Sequence, residues 1–309
     1  DVERALEVAE STTTMPNYEI LHVLPISYNL DDQKDIKEPQ GMTGVRLEVA
    51  TQIVMALSSQ VKNMTKVIYR TGVDIEFIVF SILATAEAVL TAKQKELGVA
   101  VVNIGSATTS LAVFEEGNIL HTAVLPVGAG HITNDLAIGL KTSVDVAEAV
   151  KRDHGQAISD GISKRDEVDL HKYSEDEKKG SYVYKKDIAE IGEARLEEIF
   201  SLIRDELKII NRDGKLPSGI VLTGGGAKMP MIVDLAKEVL ELPVFLGMPV
   251  DNNFPIDKLN DTEYTTALGL VLWADKNMAT GGNFLTDISA IGQTTDKMKR
   301  WLKSLWPSS

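Results

Sequence analysis

The stretch VVNIGSATTSLAVF, residues Val101–Phe114, decides the fold that this sequence predicts. A continuous apolar strand runs into a turn of small residues, and a second strand follows. Continuous apolar strands are typical of a sheet that is covered on both faces. The turn IGSATT (104–109) brings backbone amides and the hydroxyls of Ser106, Thr108 and Thr109 to the end of a strand. These groups can hold phosphate oxygens, although an ordinary hairpin entry explains the turn equally well.

A second stretch, GIVLTGGGAKMPMIVDLAKEVL (219–240), repeats the design further along the chain. An apolar strand ends at Gly224–Gly226, and a helix follows. Glycines let a backbone approach a ligand closely, and the free amides at the start of a helix favour phosphate. A sharp strand-to-helix connection also needs glycines, but two such turns in one chain are much less expected by chance. We therefore expect both turns to meet at a single cleft.

The remaining pattern predicts a mixed α/β protein. Before the first turn it predicts a helix over 1–11, strands over 18–30 and 45–57, a helix over 60–71, a short strand over 77–80, a helix over 82–91 and a polar turn over 93–98. Between the turns it predicts a hairpin over 108–126, and helices over 131–140 and 143–153. A mostly polar stretch over 155–182, with a solvated loop at the charge run 174–180, and a long helix over 186–211 follow. A helix over 230–241, a strand over 243–246 and a helix over 262–277 follow the second turn.

The composition excludes several classes of function. The 309 residues are 44% hydrophobic and 25% charged, which suits a protein with a sizeable core and more than one domain. A net charge of −13 argues against nucleic-acid binding, because a phosphate backbone requires clustered cations. Without cysteines there are no disulfides or thiolate metal sites. No apolar run approaches the roughly 20 residues of a membrane span, and because the chain starts at Asp1 we expect it to be part of a longer one.

The last segment, DKMKRWLKSLWPSS (296–309), differs from the rest of the chain. Its apolar residues recur at helical spacing and would form one stripe, made of Met298, Trp301, Leu302, Leu305 and Trp306. Basic residues lie mostly around the stripe, and tryptophan favours the lipid headgroup boundary. A short basic amphipathic helix of this kind is typical of a segment that lies in a membrane surface. The alternative is a helix that docks onto the body of the protein.

Taken together, the quoted stretches resemble the actin-like ATPase superfamily and, within it, the FtsA family of bacterial cell-division proteins. Five segments are similar to FtsA signatures in the same order: ILHVLP (20–25), GMTGVRLEV (41–49), KELGVAVVNIG (95–105), DVAEAVKRDHG (145–155) and GIVLTGGGAKM (219–229). LTGGGA is shared by the wider superfamily, whereas GMTGVRLEV and DVAEAVKRDHG are fairly specific to this branch. The resemblance covers nearly the whole chain, including the tail.

The resemblance implies an actin-like (ribonuclease H-like) α/β fold with two lobes around a nucleotide cleft. Residues 1–75 would form the extra α+β subdomain of FtsA that makes filament contacts, and 76–130 the remaining part of the first lobe with the second phosphate loop. Residues 131–277 would form the second lobe, with a smaller partner-binding subdomain over 155–215. A linker over 278–295 and a membrane-targeting helix over 296–309 would complete the chain.

The resemblance also implies a site for ATP and Mg²⁺. The nucleotide would contact Gly105, Ser106, Ala107, Thr108, Thr109, Glu148, Lys151, Gly224, Gly225, Gly226 and Ala227. Glu148 and Lys151 are three residues apart on one helix face, where the carboxylate can accept ribose hydroxyls and the lysine can cover the purine edge. Without the resemblance, a surface pair is the plainer interpretation.

Departures from the family pattern bear on catalysis. Asn103 stands where the family has an aspartate that organises Mg²⁺, which leaves a weakened metal site because an amide carries no negative charge. Ser110 replaces a second acid. The family's first phosphate loop would precede Asp1, so we expect this chain to bind ATP weakly or not at all, and to be at most a slow ATPase with no catalytic residue.

The function implied is that of an actin-like protein at the cytoplasmic face of the cell membrane, at the division site. It would self-associate into filaments, bind other division proteins and tether the ring of the tubulin homologue FtsZ, with Arg195 helping to hold the acidic end of FtsZ. Three alternatives remain open. One is a PilM-like scaffold of type IV pilus assembly, another is a phosphotransferase of the sugar-kinase type, and the third is a degenerate scaffold without a ligand.

Overall fold

The structure is a computed structural model that describes residues 1–12, 15–175, 177, 179–250 and 259–279. The amphipathic segment 296–309 and most of the predicted linker lie outside the described residues. In the described part of the chain, no helix has both the length and the apolar character that a membrane crossing requires.

The first unit is a three-stranded antiparallel sheet with two helices. Its elements are α1 (Val2–Thr12), β1 (Tyr18–Leu30), β2 (Gln33–Ile36), β3 (Leu47–Leu57) and α2 (Ser58–Tyr69), and the strand order is β2-β1-β3. The sequence predicted both long strands from their alternation. It did not predict β2, because QKDI has no apolar alternation and pairs only through the turn at Asp31.

The second unit is built on a five-stranded sheet of order β10-β9-β4-β5-β6. Its strands are β4 (Val99–Ile104), β5 (Thr109–Glu115), β6 (Asn118–Leu125), β9 (Ile220–Thr223) and β10 (Val244–Leu246). Strands β10, β9 and β4 run parallel, while β4, β5 and β6 form an antiparallel meander. One sheet thus takes strands from both predicted segments, 76–130 and 131–277, and does not divide at residue 130.

Helices cover both faces of this sheet. The large core on one face gathers residues of α5 (Ala129–Leu140), α6 (Val144–His154), α7 (Lys185–Ile209) and α8 (Ile232–Leu240). The other face carries α3 (Ser81–Val89) and α9 (Thr265–Ala279), together with Leu24 of the first sheet. Strand β4 is buried on both faces, which confirms the prediction from its unbroken apolar run.

Two predicted elements were wrong. Residues 77–80 form no strand, and the amide of Phe80 instead donates to His22 Nε2 at 2.9 Å. The predicted polar turn 93–98 is helix α4 (Ala92–Leu97), which begins with a capping box between Thr91 and Gln94. The sequence named no strand in the mostly polar stretch 155–182, where β7 (Glu167–Asp169) pairs with β8 (Tyr182–Tyr184).

Candidate functional site

The two predicted turns lie side by side at one edge of the five-stranded sheet. Strands β4 and β9 are parallel neighbours, with Asn103 opposite Thr223 in the register. Because parallel strands end at the same edge, the turns that follow them emerge together. Because both turns belong to the same sheet, they lie on the same side of the predicted cleft and do not face each other across it.

The first turn directs its carbonyls toward helix α5. The carbonyl oxygens of Gly105 and Ser106 accept hydrogen bonds from the amides of Ala129 and Gly130, each at 2.8 Å. Within the described residues, the amides of Ser106, Ala107 and Thr108 have no hydrogen-bond partner, and these three residues are exposed. The turn therefore presents open donors to a ligand, as a phosphate loop requires.

Thr109 does not share this exposure. It is fully buried, and its hydroxyl donates to the carbonyl of Val127 at 2.8 Å. The predicted role of Thr109 as a nucleotide contact is therefore wrong for its side chain, which instead fastens the turn to the segment before α5. The sequence groups Thr109 with Ser106 and Thr108 as hydroxyl residues, because the motif does not show which of their side chains are buried.

Two glycines that sequence reasoning left out hold the first turn in place. A Cβ at Gly128 would lie 2.5 Å from the carbonyl oxygen of Gly105, and a Cβ at Gly130 would lie 2.7 Å from Ser106 Oγ. Both separations are too short for a side chain, so only glycine lets α5 begin against the turn. The GAG triplet at 128–130 was a visible signal for this close approach.

The second turn packs directly on strand β4. Gly224 has φ 88°, and a Cβ there would lie 2.3 Å from Asn103 Oδ1. Gly226 is buried, and its Cβ position is 2.4 Å from Ile104 Cγ2. Gly225 is exposed, so of the three glycines only Gly225 presents its backbone to solvent, while the other two join the turns.

Segment 259–265 fastens the second turn from outside, a feature that sequence reasoning missed. The amide of Gly224 donates to the carbonyl of Thr262 at 3.2 Å, and the Thr262 hydroxyl donates back to the Gly224 carbonyl at 2.9 Å. Lys228 pairs with Asp261 at 2.7 Å and with Glu263 at 3.1 Å. Nothing in the local sequence signals these contacts, because tertiary folding alone brings the two segments together.

The predicted Glu148–Lys151 pair exists and is tied to the first turn. Lys151 Nζ donates to Glu148 Oε2 at 2.5 Å, to Thr133 Oγ1 at 2.7 Å and to the carbonyl of Ala129 at 3.2 Å. Burial acts to raise the pKa of Glu148, but hydrogen bonds from Lys151 and Thr133 and the charge of Lys151 together hold that pKa below its ordinary value. Glu148 is therefore an ionised acceptor at neutral pH.

The end of α6 leads from this pair to the second turn. The amide of Ala157 donates to the carbonyl of Pro230 at 2.9 Å, and Gln156 Nε2 lies 3.0 Å from Met231 Sδ. These contacts connect the first turn, the Glu148–Lys151 pair and the segment that follows the second turn, and this connected region is named the corner. An exposed backbone, an ionised carboxylate and a lysine suit a ligand with phosphate and hydroxyl groups.

Asn103 does not fit the predicted magnesium site. Its Nδ2 donates to Thr266 Oγ1 at 3.0 Å and to Thr85 Oγ1 at 3.3 Å, on the face that carries α3 and α9. Ser110 stands opposite Asn103 in the register and adds no charge. Among the described residues, no three His, Cys, Asp or Glu side chains lie close enough together to hold a metal ion. The neutral side chains of Asn103 and Ser110 do not match the anionic oxygen ligands that Mg²⁺ prefers.

Arg195 lies on helix α7 and is already paired. Its Nε donates to Asp135 Oδ2 at 2.6 Å and its Nη2 to Asp135 Oδ1 at 3.0 Å, while Nη1 bonds Glu198. In the described residues, no contact joins Arg195 to either turn. The predicted membrane residues Met298, Trp301, Leu302, Leu305 and Trp306 lie outside the described part of the chain.

Known proteins share this architecture. The structure superposes on the PilM–PilN type IV pilus biogenesis complex with a TM-score of 0.61, at 19% identity over 88% of this chain and 71% of that chain. It superposes on MreB5 of Spiroplasma citri bound to AMPPNP with a TM-score of 0.55, at 18% identity over 73% of this chain and 68% of that one. The fold and its paired turns define an actin-like α/β protein, as the sequence predicted.

Sequence comparison narrows this class. Residues 100–269 match the family model described as cell division protein FtsA, and residues 1–55 match the SHS2 domain inserted in FtsA. The cell division protein FtsA of Pseudomonas aeruginosa is 33% identical over 309 residues, which is 98% of this chain and 74% of that protein. The chain belongs to the FtsA family of cell-division proteins.

Proposed function

We propose that this protein is an actin-like adaptor of cell division, with an adenine nucleotide as a structural ligand that it hydrolyses slowly or not at all. Membership of the FtsA family supports the role in division. One structural observation carries the nucleotide site: the two turns leave adjacent parallel strands and border the same corner as Glu148 and Lys151.

Each part of this corner suits one part of a nucleotide. The open amides of Ser106, Ala107 and Thr108 would hold phosphate oxygens. The ionised Glu148 would accept ribose hydroxyls, and the exposed backbone at Gly225 would lie against the base. MreB5, which shares the fold, is bound to AMPPNP in its structure. Slow turnover follows from the replacement of the predicted acidic positions by Asn103 and Ser110.

Titration with ATP, followed by calorimetry and by phosphate release, tests the nucleotide site. We expect weak, saturable binding to one site, with phosphate release near background. Glu148→Gln removes the charge that would accept ribose hydroxyls and should weaken binding by about fivefold or more. Glu197→Gln makes the same change on an exposed position of α7 and should leave affinity unchanged. No saturable binding at millimolar ATP would overturn the nucleotide site.

The proposal extends to membrane attachment by the segment 296–309. Partial burial of five large apolar side chains gives reversible binding to lipid, and filament formation would multiply the anchors and raise avidity. Trp301→Glu should therefore reduce cosedimentation with anionic vesicles, whereas Ser308→Glu adds the same charge outside the apolar stripe and should change it little. Equal sedimentation of Trp301→Glu and the unaltered protein would contradict the anchor.

The proposal also includes FtsZ as the partner, with Arg195 among the contacts. Because Asp135 already binds the guanidinium in a bidentate pair, an acidic peptide would have to compete for it. Asp135→Asn should therefore raise the affinity for an acidic FtsZ-tail peptide severalfold, and Arg195→Ala should lower it. If both variants bind the peptide as the unaltered protein does, Arg195 is an ordinary ion-pair residue of α7.

A further inference from the structure

We propose that the nucleotide corner binds ATP with little dependence on a divalent cation, so that the uncomplexed nucleotide is as good a ligand as its Mg²⁺ complex. This inference rests on the proposed nucleotide site and concerns the chemical form of its ligand. It starts from the neutral side chain of Asn103, which does not fit the magnesium site that the actin-like fold implies.

The hydrogen-bond polarity around Asn103 selects an amide over a carboxylate. The Thr85 hydroxyl donates its only proton to the carbonyl of Ser81 at 2.9 Å, so toward Asn103 it acts as an acceptor. The Thr266 hydroxyl lies 2.8 Å from Thr85 Oγ1, and Thr266 is the donor of this bond when Thr85 donates to Ser81. Both hydroxyls then accept from Asn103 Nδ2, so the amide of Asn103 satisfies both of them.

The same polarity disfavours an acid at this position. Thr85 is fully buried, so a carboxylate at position 103 would avoid a contact between two acceptors only if the Thr85 and Thr266 hydroxyls turned to donate to it. An unsatisfied contact between two acceptors in a buried site is costly. Asn103 is therefore part of a hydrogen-bond network with α3 and α9 that suits a neutral amide at the cation position.

Nearby carboxylates do not replace the missing charge. Asp261 and Glu263 are paired with Lys228, at 2.7 Å and 3.1 Å, and Glu148 is paired with Lys151 at 2.5 Å. The side chain of Asn103 approaches the second turn only through Oδ1, which packs against Gly224. Mg²⁺ dehydrates reluctantly and needs anionic oxygens, so the corner offers no favourable energy for a cation carried in by the nucleotide.

The groups that would meet phosphate are instead donors. The amides of Ser106, Ala107 and Thr108 are open within the described residues, and Lys151, with a side chain 12% exposed, stands beside the start of α5. Donors of this kind interact with phosphate oxygens whether or not a cation is present. We therefore expect the dissociation constants for ATP in excess Mg²⁺ and in excess EDTA to agree within about threefold.

The test measures ATP affinity of the whole protein by calorimetry in both buffers. Agreement within about threefold supports the inference, and a loss of affinity of about tenfold or more in EDTA overturns it. Absence of binding in both buffers overturns the proposed nucleotide site and this inference with it, and that outcome is distinguishable from cation-dependent binding. The decisive comparison uses the unaltered protein, so it does not depend on the folding of any variant.

Asn103→Asp supplies a second, opposite arm of the test. It restores a negative charge at the cation position and should make ATP binding depend on Mg²⁺ by about tenfold or more. Asn103→Ser is the matched neutral control and should remain independent of Mg²⁺. Mn²⁺ as a paramagnetic probe gives an independent readout. In the presence of ATP, we expect only Asn103→Asp to bind more Mn²⁺ than ATP binds without the protein. Extra bound Mn²⁺ in the unaltered protein would count against the inference.

Discussion

Gly224 is the residue on which the contact between the two turns depends most. Its φ of 88° is strained for any residue with a side chain, and a Cβ would lie 2.3 Å from Asn103 Oδ1 and 2.6 Å from the carbonyl oxygen of Ile104. We expect Gly224→Ala to lower the free energy of unfolding by about 2 kcal/mol or more. Urea denaturation measures this change.

Gly225→Ala is the matched control for that substitution. At Gly225 the nearest atoms to a Cβ belong to Glu263, at 3.7 Å and 3.8 Å, which is ordinary van der Waals contact. The free energy of unfolding should therefore change by no more than about 0.5 kcal/mol. Similar losses at the two positions would show that the turn is not held in the conformation described.

His22 makes the stability of the protein depend on pH. The side chain is 1% exposed, and burial lowers its pKa from 6.5 to about 4. The unfolded chain therefore binds a proton that the folded chain does not, so stability is lost as the pH falls from 6.5 toward 4. Between pH 7.5 and 5 this loss is about 2 kcal/mol.

His22→Gln removes this titration and retains an oxygen that can accept the Phe80 amide. Urea denaturation at pH 7.5 and at pH 5 should show a smaller pH effect in the variant than in the unaltered protein, by about 2 kcal/mol. Equal pH effects would mean that His22 is accessible to protons in the folded state. All other titrating groups are shared by the two proteins and cancel in the comparison.

The residues predicted for the corner differ in what their side chains contact. Sequence reasoning selected Ser106, Thr108 and Thr109 together as hydroxyl residues, but the strand register buries Thr109 and exposes the other two. The resemblance places Asn103 at a metal position, whereas in the structure its amide donates to hydroxyl groups of α3 and α9. The direction of a side chain depends on register and on distant helices, and neither is encoded in a short motif.

At the scale of elements, a seam of threonines joins α9 to the central sheet. Thr265 lies 3.0 Å from Thr223 of β9, and Thr266 accepts from Asn103 of β4 at 3.0 Å. Thr266→Val keeps the shape and removes the hydroxyl, which leaves Asn103 and Thr85 short of a partner. We expect a loss of about 1–2 kcal/mol in the free energy of unfolding.

Thr266→Ser is the control for this seam, because it keeps the hydroxyl and removes only a methyl group. In thermal and urea denaturation, the stability of Thr266→Ser should be clearly closer to that of the unaltered protein than the stability of Thr266→Val is. The opposite order would show that packing of the methyl group, and not the hydrogen bonds to Asn103 and Thr85, holds α9 on the sheet.

An ionic cluster joins the three helices α3, α4 and α9 on the face of the five-stranded sheet that α3 and α9 cover. Glu87 of α3 pairs with Lys95 of α4 and with Lys276 of α9, each at 2.6 Å, and the Lys95 side chain is only 2% exposed. Glu87→Gln leaves the buried Lys95 without its counter-ion and should cost about 3 kcal/mol. Asp205→Asn, which breaks the exposed pair with Lys208, should cost less than about 0.5 kcal/mol in the same denaturation assay.

Elements with strong periodicity were predictable, and short polar ones were not. The long helix α7 and the strands β1, β3 and β4 follow their apolar patterns. The segment AKQKEL of helix α4 lacks an apolar face and therefore predicts a turn, yet a capping box and the ion pair of Lys95 with Glu87 stabilise the helix. In such segments the tertiary partners, here Glu87, decide the conformation.

For the whole molecule, the N-terminal sheet is joined to the central one by several contacts. Leu24 shares a core with α3 and α9, His22 accepts the Phe80 amide, and Gln52 Nε2 donates to Thr122 Oγ1 at 2.7 Å. The resemblance predicted the actin-like class, which is confirmed. It did not predict that one sheet would span the boundary at residue 130, because strand order depends on long-range pairing.

Hydrogen exchange with and without ATP tests the central claim that both turns serve one nucleotide site. We predict slower exchange in segments 105–109, 148–151 and 224–228, with the same ATP concentration giving half of the effect in all three. Protection of only one turn, or protection that saturates at different concentrations in the two turns, would contradict the claim that they hold a single ligand.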